Sequence, residues 1–295
     1  MRTPGLGPAA RVARRARQAA SLLQYRLRLE TWSAAPAAVI SHPKSGRTWL
    51  RLMLHEAGVT GIPFSHAGSS EEAAVTAAAL FDGVAHWQDR RILFLLRDPR
   101  DTIASFYFQA TRRTCVYAGT FADFLRDPRF GIERAVRFNL LWLAAQRRFP
   151  DFTLLSYEAM HADPHGALRH AARFLAGRQL PEPVADEAVR RNRFDRLHAC
   201  ERSGDGRRLW GARLAPGNVR DPESFKTRRG IVGGWRDYFT PADTDYADAV
   251  LAAHDYVPRL AAAGVPKPAP AAPRLTVPAP VEEPAIESAP RPILV

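Results

Sequence analysis

The 295-residue chain has two cysteines, Cys115 and Cys200, far apart in sequence. They form no disulfide framework and no metal-ligand spacing, so the expectation is a reducing, cytoplasmic setting and no bound metal. No apolar run approaches the roughly 20 residues that a membrane span needs. The basic, Ala-rich N-terminus lacks the apolar core and small-residue cleavage site of a secretory signal. Lysine is scarce: Lys44, Lys226 and Lys267 are the only three among 42 basic side chains. A glycine is missing as well. In "ISHPKSGRTWLRLML", Ile40 to Leu54, Lys44 precedes Gly46 and no glycine stands upstream. A Walker loop reads G-x-x-x-x-G-K-[ST], with its lysine after the second glycine. The stretch is therefore a damaged triphosphate loop, a surface turn, or a phosphate loop of another kind.

What is present is basic and apolar. The hydrophobic fraction of 46% allows a sizeable core, and the formal charge is +12. Much of that charge lies in an arm, residues 1–35, where Arg2, Arg11, Arg14, Arg15, Arg17, Arg26 and Arg28 face a single Glu30. Two readings of the arm stay open. One is a solvated helix that packs a few leucines on the domain; the other is a weak contact with an acidic surface such as anionic lipid. Residues 258–295 are dense in Pro and Ala and read as a disordered or extended tail. The body between them, 36–257, carries a moderate basic excess. That suits anionic small ligands better than a nucleic-acid surface, which would want basic residues clustered on one face.

Within the body, short apolar runs alternate with helical patterns. "AAVIS", "GIPFS", "RILFLL" and "FTLLS" read as strands; "TWLRLMLHEA", "DTIASFYFQATRR", "RAVRFNLLWLAAQRRF" and "PHGALRHAARFLAG" read as helices. Continuous apolar strands between helices imply an α/β fold, one domain with a central parallel sheet flanked by helices. Ligands of such sheets sit at the carboxyl ends of the strands.

Three stretches carry chemistry there. After the first strand, "HPKSGRTW" brings a helix start near Arg47 or Thr48, whose free N–H groups favour an anion. Gly46 permits the turn, Lys44 supplies charge, and Ser45 and Thr48 supply hydroxyls. A capped helix with an exposed lysine is the plainer alternative. After "RILFLL", Arg97 ends the strand, Asp98 or Asp101 caps the next helix with Pro99 in its first turn, and Ser105 lies one turn inside. Arg97 and Ser105 can grip one phosphate from two sides, although Ser105 is equally readable as a surface hydroxyl. Near the end, "FKTRRGIVGGWRDYFT" sets Arg228, Arg229 and Gly230 beside Gly233, Gly234 and Trp235. Paired arginines on a flexible turn suit a phosphate clamp or lid; a docked basic surface loop is the simpler reading.

Together these segments, from about Val39 to Thr240, resemble the sulfotransferases that use 3′-phosphoadenosine 5′-phosphosulfate (PAPS). "HPKSGRTW" resembles that family's 5′-phosphosulfate loop, Y-P-K-S-G-T-T-W, and gives a P-loop-like phosphosulfate site. The Arg97–Ser105 stretch resembles its 3′-phosphate motif, and the Arg228–Trp235 stretch resembles R-K-G-x-x-G-D-W. The resemblance implies that Lys44, Ser45, Gly46, Arg47, Thr48 and Trp49 hold the 5′-phosphosulfate and stack near the adenine. It implies that Arg97 and Ser105 bind the 3′-phosphate, with Arg228, Arg229 and Gly230 closing over it. "LLSYEAM" and "RFDRL" resemble family segments that would set Tyr157 and Phe194 by the adenine, although plain core packing accounts for either nearly as well. Lys44 is then expected to meet the charge developing on the bridging and leaving oxygens, and no metal is required.

Sulfuryl transfer also needs a base for the acceptor's proton. His66 in "IPFSHAGSS" matches the family's position, and His86 in "GVAHWQD" competes. His42 stands where the family often has tyrosine and shapes the loop rather than acting as base. Two departures matter: Gly234 replaces the motif's aspartate, and Arg47 replaces a threonine. The acceptor is read as a polar small molecule or carbohydrate, facing segments 67–89 and 198–224. A P-loop kinase using Mg·ATP and a catalytically silent PAPS-binding module remain as alternatives, the first disfavoured by the Lys-Ser-Gly order.

Overall fold

A computed structural model describes residues 35–67 and 84–265. The N-terminal arm up to residue 34, most of the 67–89 segment and the tail from residue 266 lie outside the described residues. Four short strands build one sheet: β1 (Ala37–Ser41), β2 (Phe64–Ser65), β3 (Arg91–Leu96) and β4 (Phe152–Ser156). All pair in parallel, in the order β2-β1-β3-β4. The α/β reading of the sequence is the architecture observed.

Side chains of successive strand residues point to opposite faces, and two cores follow from that. On one face Ala38, Ile40, Ile92 and Phe94 pack with Phe106, Phe124, Phe138 and Trp142. On the other, Val39, Leu93 and Leu95 pack with Leu50, Met53, Leu168 and Leu175. Because both faces are covered, β1 is buried along its whole length. That explains why β1, and β3 beside it, read as continuous apolar runs rather than alternating ones.

Helices fill the connections. The Arg47–Glu56 helix follows β1, and the Pro99–Phe108 helix follows β3. The latter continues as a π-helical turn, Gln109–Arg113. Ile132–Ala144 and Pro164–Ala176 match the expected patterns, the first stopping short of the predicted "QRRF" end, where a 3₁₀ turn takes over. The last described helix, Tyr256–Ala262, crosses the expected domain boundary at 257/258. Tyr256 is buried in the core and its hydroxyl accepts from Asn139 Nδ2 at 2.7 Å, and Leu260, Ala263 and Val265 pack against the same core. Among the described residues, no helix is long and apolar enough to cross a membrane.

The strand order decides what meets. With β1 between β2 and β3, the loop after β1 is flanked by the residues that leave β2 and β3. Those are His66 and Arg97, each one residue past its strand, while Tyr157 opens the helix directly after β4.

Candidate active site

The loop after β1 is built around two left-handed residues, Lys44 (φ 71°) and Gly46 (φ 90°). A left-handed lysine is uncommon and strained, and such residues gather at ligand sites. Arg97 holds it there, because its Nη1 donates to the Lys44 carbonyl at 3.2 Å. At Gly46 a Cβ would lie 2.5 Å from Tyr157 Cδ2, so the glycine is required twice, by its φ and by the tyrosine ring. Asp98, Thr120, Ser156, Asp163 and Thr240 each cap the helix they precede. The Arg47–Glu56 helix has no side-chain cap and no acid in its first turn. Its positive end faces a pocket instead.

That pocket has a volume of about 750 Å³. Its wall includes Lys44, Gly46, Arg47, Thr48, Trp49 and His66. Arg97, Ser105, Tyr157, Phe194, Arg228, Arg229 and Gly230 line it too. Of the residues predicted from sequence to hold the donor, Ser45 alone is absent from the wall; it is buried inside the loop. His86 lies outside the pocket, exposed and edge-on to Trp87 at 5.0 Å.

Each segment is tied to the others. Arg97 lies over the Tyr157 ring at 4.1 Å, donates from Nη2 to the Ile231 carbonyl at 3.1 Å, and pairs with Asp101 at 3.7 Å. Its buried Nε has no hydrogen-bond partner among the described residues. Trp49 Nε1 donates to the Asn192 carbonyl at 2.9 Å, with its ring edge-on to Tyr157. Phe194 stacks on His198 and packs against Gly230 so closely that a Cβ there would clash with its ring. Arg228 donates to Glu223 at 2.9 Å and lies over Phe108 at 4.2 Å, while Arg229 pairs with Asp237 at 2.6 Å.

Asp98 caps the Pro99–Phe108 helix by accepting from the Arg100 N–H. Asp101, the other candidate for that role, is buried and accepts from the backbone N–H groups of Gly233 and Trp235, at 2.7 and 3.0 Å. Burial pushes its carboxyl up and outweighs the nearby Arg97. The third motif lacks a carboxylate at Gly234, yet one reaches that turn from the second motif.

Two polar wall residues that sequence reasoning missed meet Lys44 or share its partner. Gln109, the first residue of the π turn, accepts from Lys44 Nζ at 3.2 Å and from Lys226 Nζ at 3.4 Å. Single π turns inside helices often mark functional sites. Lys226 was findable by the argument applied to Lys44, since two of the chain's three lysines converge here. Gln109 carried no comparable signal.

The electrostatics are one-sided. The Lys44 ammonium is held well below its usual value, first by burial, then by Lys226, Arg113, Arg228 and Arg97. Burial and the Arg47 charge hold His66 well below 6.5. His66 Nδ1 lies 3.0 Å from the Ser41 carbonyl, which can only accept, so Nδ1 carries the proton. Nε2 is then an open lone pair, and Arg47 Nη2 donates to it at 2.5 Å. A pocket walled by ammonium, guanidinium and uncapped amide groups, with a neutral imidazole at its edge, can bind a polyanion and accept a proton beside it.

Fold and site thus define an α/β protein with an anion pocket at the strand ends. The chain belongs to the sulfotransferase family: the sulfotransferase-domain model matches residues 84–256, covering the second and third motifs. The first loop lies N-terminal to that match and joins the others in space. Sulfotransferase 2B1 of Rattus norvegicus is 26% identical over 176 residues, 58% of this chain and 49% of that protein. Sulfotransferase 2B1 of Homo sapiens is 24% identical over 238 residues, 71% of this chain and 63% of that protein. The chain spans about half the length of most curated relatives it matches. In fold it is similar to mouse sulfotransferase SULT7A1 complexed with PAP, with a TM-score of 0.56 at 18% identity, covering 75% of this chain and 83% of that one. Retinol dehydratase, solved with androsterone and inactive cofactor PAP, gives 0.53 at 16% identity, covering 74% and 80%.

Proposed function

We propose that this protein moves a sulfuryl group from PAPS to a hydroxyl or amine of a small-molecule or carbohydrate acceptor. One observation carries the reading. Lys44, Arg97, Arg228 and Arg229 come from three distant segments to a single pocket, beside the uncapped start of the Arg47–Glu56 helix. PAPS is the donor substrate and supplies an activated sulfuryl group on a phosphate leaving group.

Within that reading Lys44 neutralises charge growing on the bridging oxygen, helped by the loop amides. One well-placed donor of this kind is worth roughly 3 kcal/mol of barrier. Lys226, sharing Gln109 with Lys44, adds a second ammonium. Arg97 and Ser105 take the 3′-phosphate, and Arg228, Arg229 and Gly230 cover it. Trp49, Tyr157 and Phe194 flank the adenine. His66 Nε2 takes the acceptor's proton as the acceptor oxygen bonds to sulfur; the bond from sulfur to the phosphate oxygen breaks, and adenosine 3′,5′-bisphosphate (PAP) leaves with that electron pair. In-line placement of the three atoms is what the pocket must hold.

Calorimetry with PAP, and radiolabelled PAPS with a broad acceptor panel, test this. Tight binding of PAP without added metal, and label transfer lost in Lys44→Ala, are expected. Preference for Mg·ATP, or full activity in Lys44→Ala, overturns the reading; PAP binding with no transfer to any acceptor favours a silent binding module.

A further inference from the structure

Arg47 stands in the donor loop where the family motif has a neutral threonine, so its charge is one that the motif itself does not require. It opens the Arg47–Glu56 helix, and its half-buried side chain lies in the pocket wall beside the cations Arg51 and Arg213. No carboxylate among the described residues pairs with it. Of the two acids on the wall, Asp101 is engaged by Gly233, Trp235 and Arg97, and Asp195 by Arg193. A half-buried charge set among other cations without a counter-ion is unfavourable, so a ligand oxyanion is the natural partner. The partner that Arg47 has among the described residues is neutral: His66 Nε2, at 2.5 Å.

That contact separates donor from acceptor. In the proposed function the donor's phosphates meet Lys44, Arg97, Arg228 and Arg229. His66 Nε2, in contrast, is the atom that must face the acceptor's hydroxyl, and Arg47 blocks it. For the base to act, the guanidinium must turn elsewhere. A charge-assisted, bidentate bond to an oxyanion is stronger than its bond to a neutral imidazole, so an anionic acceptor both draws Arg47 away and exposes Nε2.

Resting on the sulfotransferase reading above, we infer that the acceptor is anionic and that Arg47 determines this specificity by binding an oxyanion, carboxylate or phosphate, set beside the hydroxyl to be sulfated. Threonine, the residue this position has in the family motif, is neutral and leaves His66 uncovered, so it gives the direct comparison.

The experiment uses the full chain and matched acceptor pairs: 4-hydroxybenzoate with its methyl ester, methyl glucuronide with methyl glucoside, and glycerol 3-phosphate with glycerol. Label transfer from PAPS is measured for each, and the PAP-loaded protein is titrated with the same pairs by calorimetry. Wild type is expected to favour the anionic member of at least one pair by about ten- to a hundredfold, the worth of a charged hydrogen bond. The carboxylate and phosphate pairs show which oxyanion fits. Arg47→Thr is expected to bring the ratio to near unity, and Arg47→Lys to keep part of it. Thermal unfolding of each variant confirms folding, and its PAP affinity separates loss of the donor from loss of anion preference. Equal or better use of the neutral members in both assays, or an unchanged ratio in Arg47→Thr, overturns the inference. Failure to bind PAP overturns the sulfotransferase reading and this one with it; PAP binding without anion preference overturns this one alone.

Discussion

Asp101 Oδ2 accepts the backbone N–H of Gly233 at 2.7 Å, joining the second and third motifs through one buried carboxylate. The same side chain accepts from Trp235 and faces Arg97, so the turn that carries Arg228 and Arg229 is anchored by the helix that carries Ser105. Removing it leaves two amides without their acceptor and Arg97 without its counter-ion. Asp101→Ala is expected to lose about 3 kcal/mol of stability in urea unfolding. PAP affinity should fall as well, because the clamp is no longer fixed. Wild-type stability and affinity in this variant would show that the anchor is dispensable.

The proposed role of Lys44 predicts that donor binding is proton-linked. In the free protein, burial and the surrounding cations hold its ammonium well below the ordinary lysine range. A bound polyanion reverses the sign of its surroundings and raises that value. The bound state then holds more protons than the free state between the two values, so affinity rises as pH falls through that window. Titrating PAP in buffers of different ionisation enthalpy should show net proton uptake, and Lys44→Met should abolish most of it. Proton release on binding would contradict this account.

How much of this was legible in the sequence differs by residue. β1 and β3 were readable because burial on both faces makes them nearly continuous apolar runs, and the helix start at Arg47 was readable from Gly46. The strand order was not, since alternation of strands and helices does not say that β1 lies between β2 and β3. That order is what brings His66 to the Lys44 loop from one side and Arg97 from the other. Gln109 was hidden for a related reason. "FYFQATRR" has no glycine or proline to mark the change from α to π geometry, so its side chain's meeting with two lysines depends on a turn that local pattern does not reveal. Asp101 was readable as a cap but not as an anchor, because its partners lie more than a hundred residues away.

The Arg47–His66 contact predicts a pH profile. His66 must be neutral to take a proton, and it is held well below 6.5 by burial and then by the Arg47 charge. The acid limb of kcat/KM reports the free enzyme, so in wild type it should lie below pH 6.5. Removing the charge in Arg47→Thr should move that limb upward, towards 6.5. His66→Ala should lose the limb and roughly a hundredfold or more in rate. His86→Ala should keep both, since that ring is exposed beside Trp87. A dead His86→Ala with an active His66→Ala would transfer the role of base.

Two glycines close in sequence separate backbone strain from site geometry. Gly46 and Gly61 both have positive φ, 90° and 74°. A Cβ on Gly61 meets nothing within 4 Å, whereas one on Gly46 lies 2.5 Å from Tyr157 Cδ2. Gly61→Ala should therefore cost only the left-handed penalty, about 1 kcal/mol, and leave PAP affinity intact. Gly46→Ala bears the same penalty and must also displace the Tyr157 ring, over which Arg97 lies at 4.1 Å. Arg97 in turn holds the Lys44 carbonyl, so the displacement passes to the lysine itself. PAP binding in Gly46→Ala is expected to weaken by at least tenfold, read by calorimetry beside the thermal shift of each variant. Equal behaviour of the two variants would mean that the close approach of loop and ring does not shape the pocket.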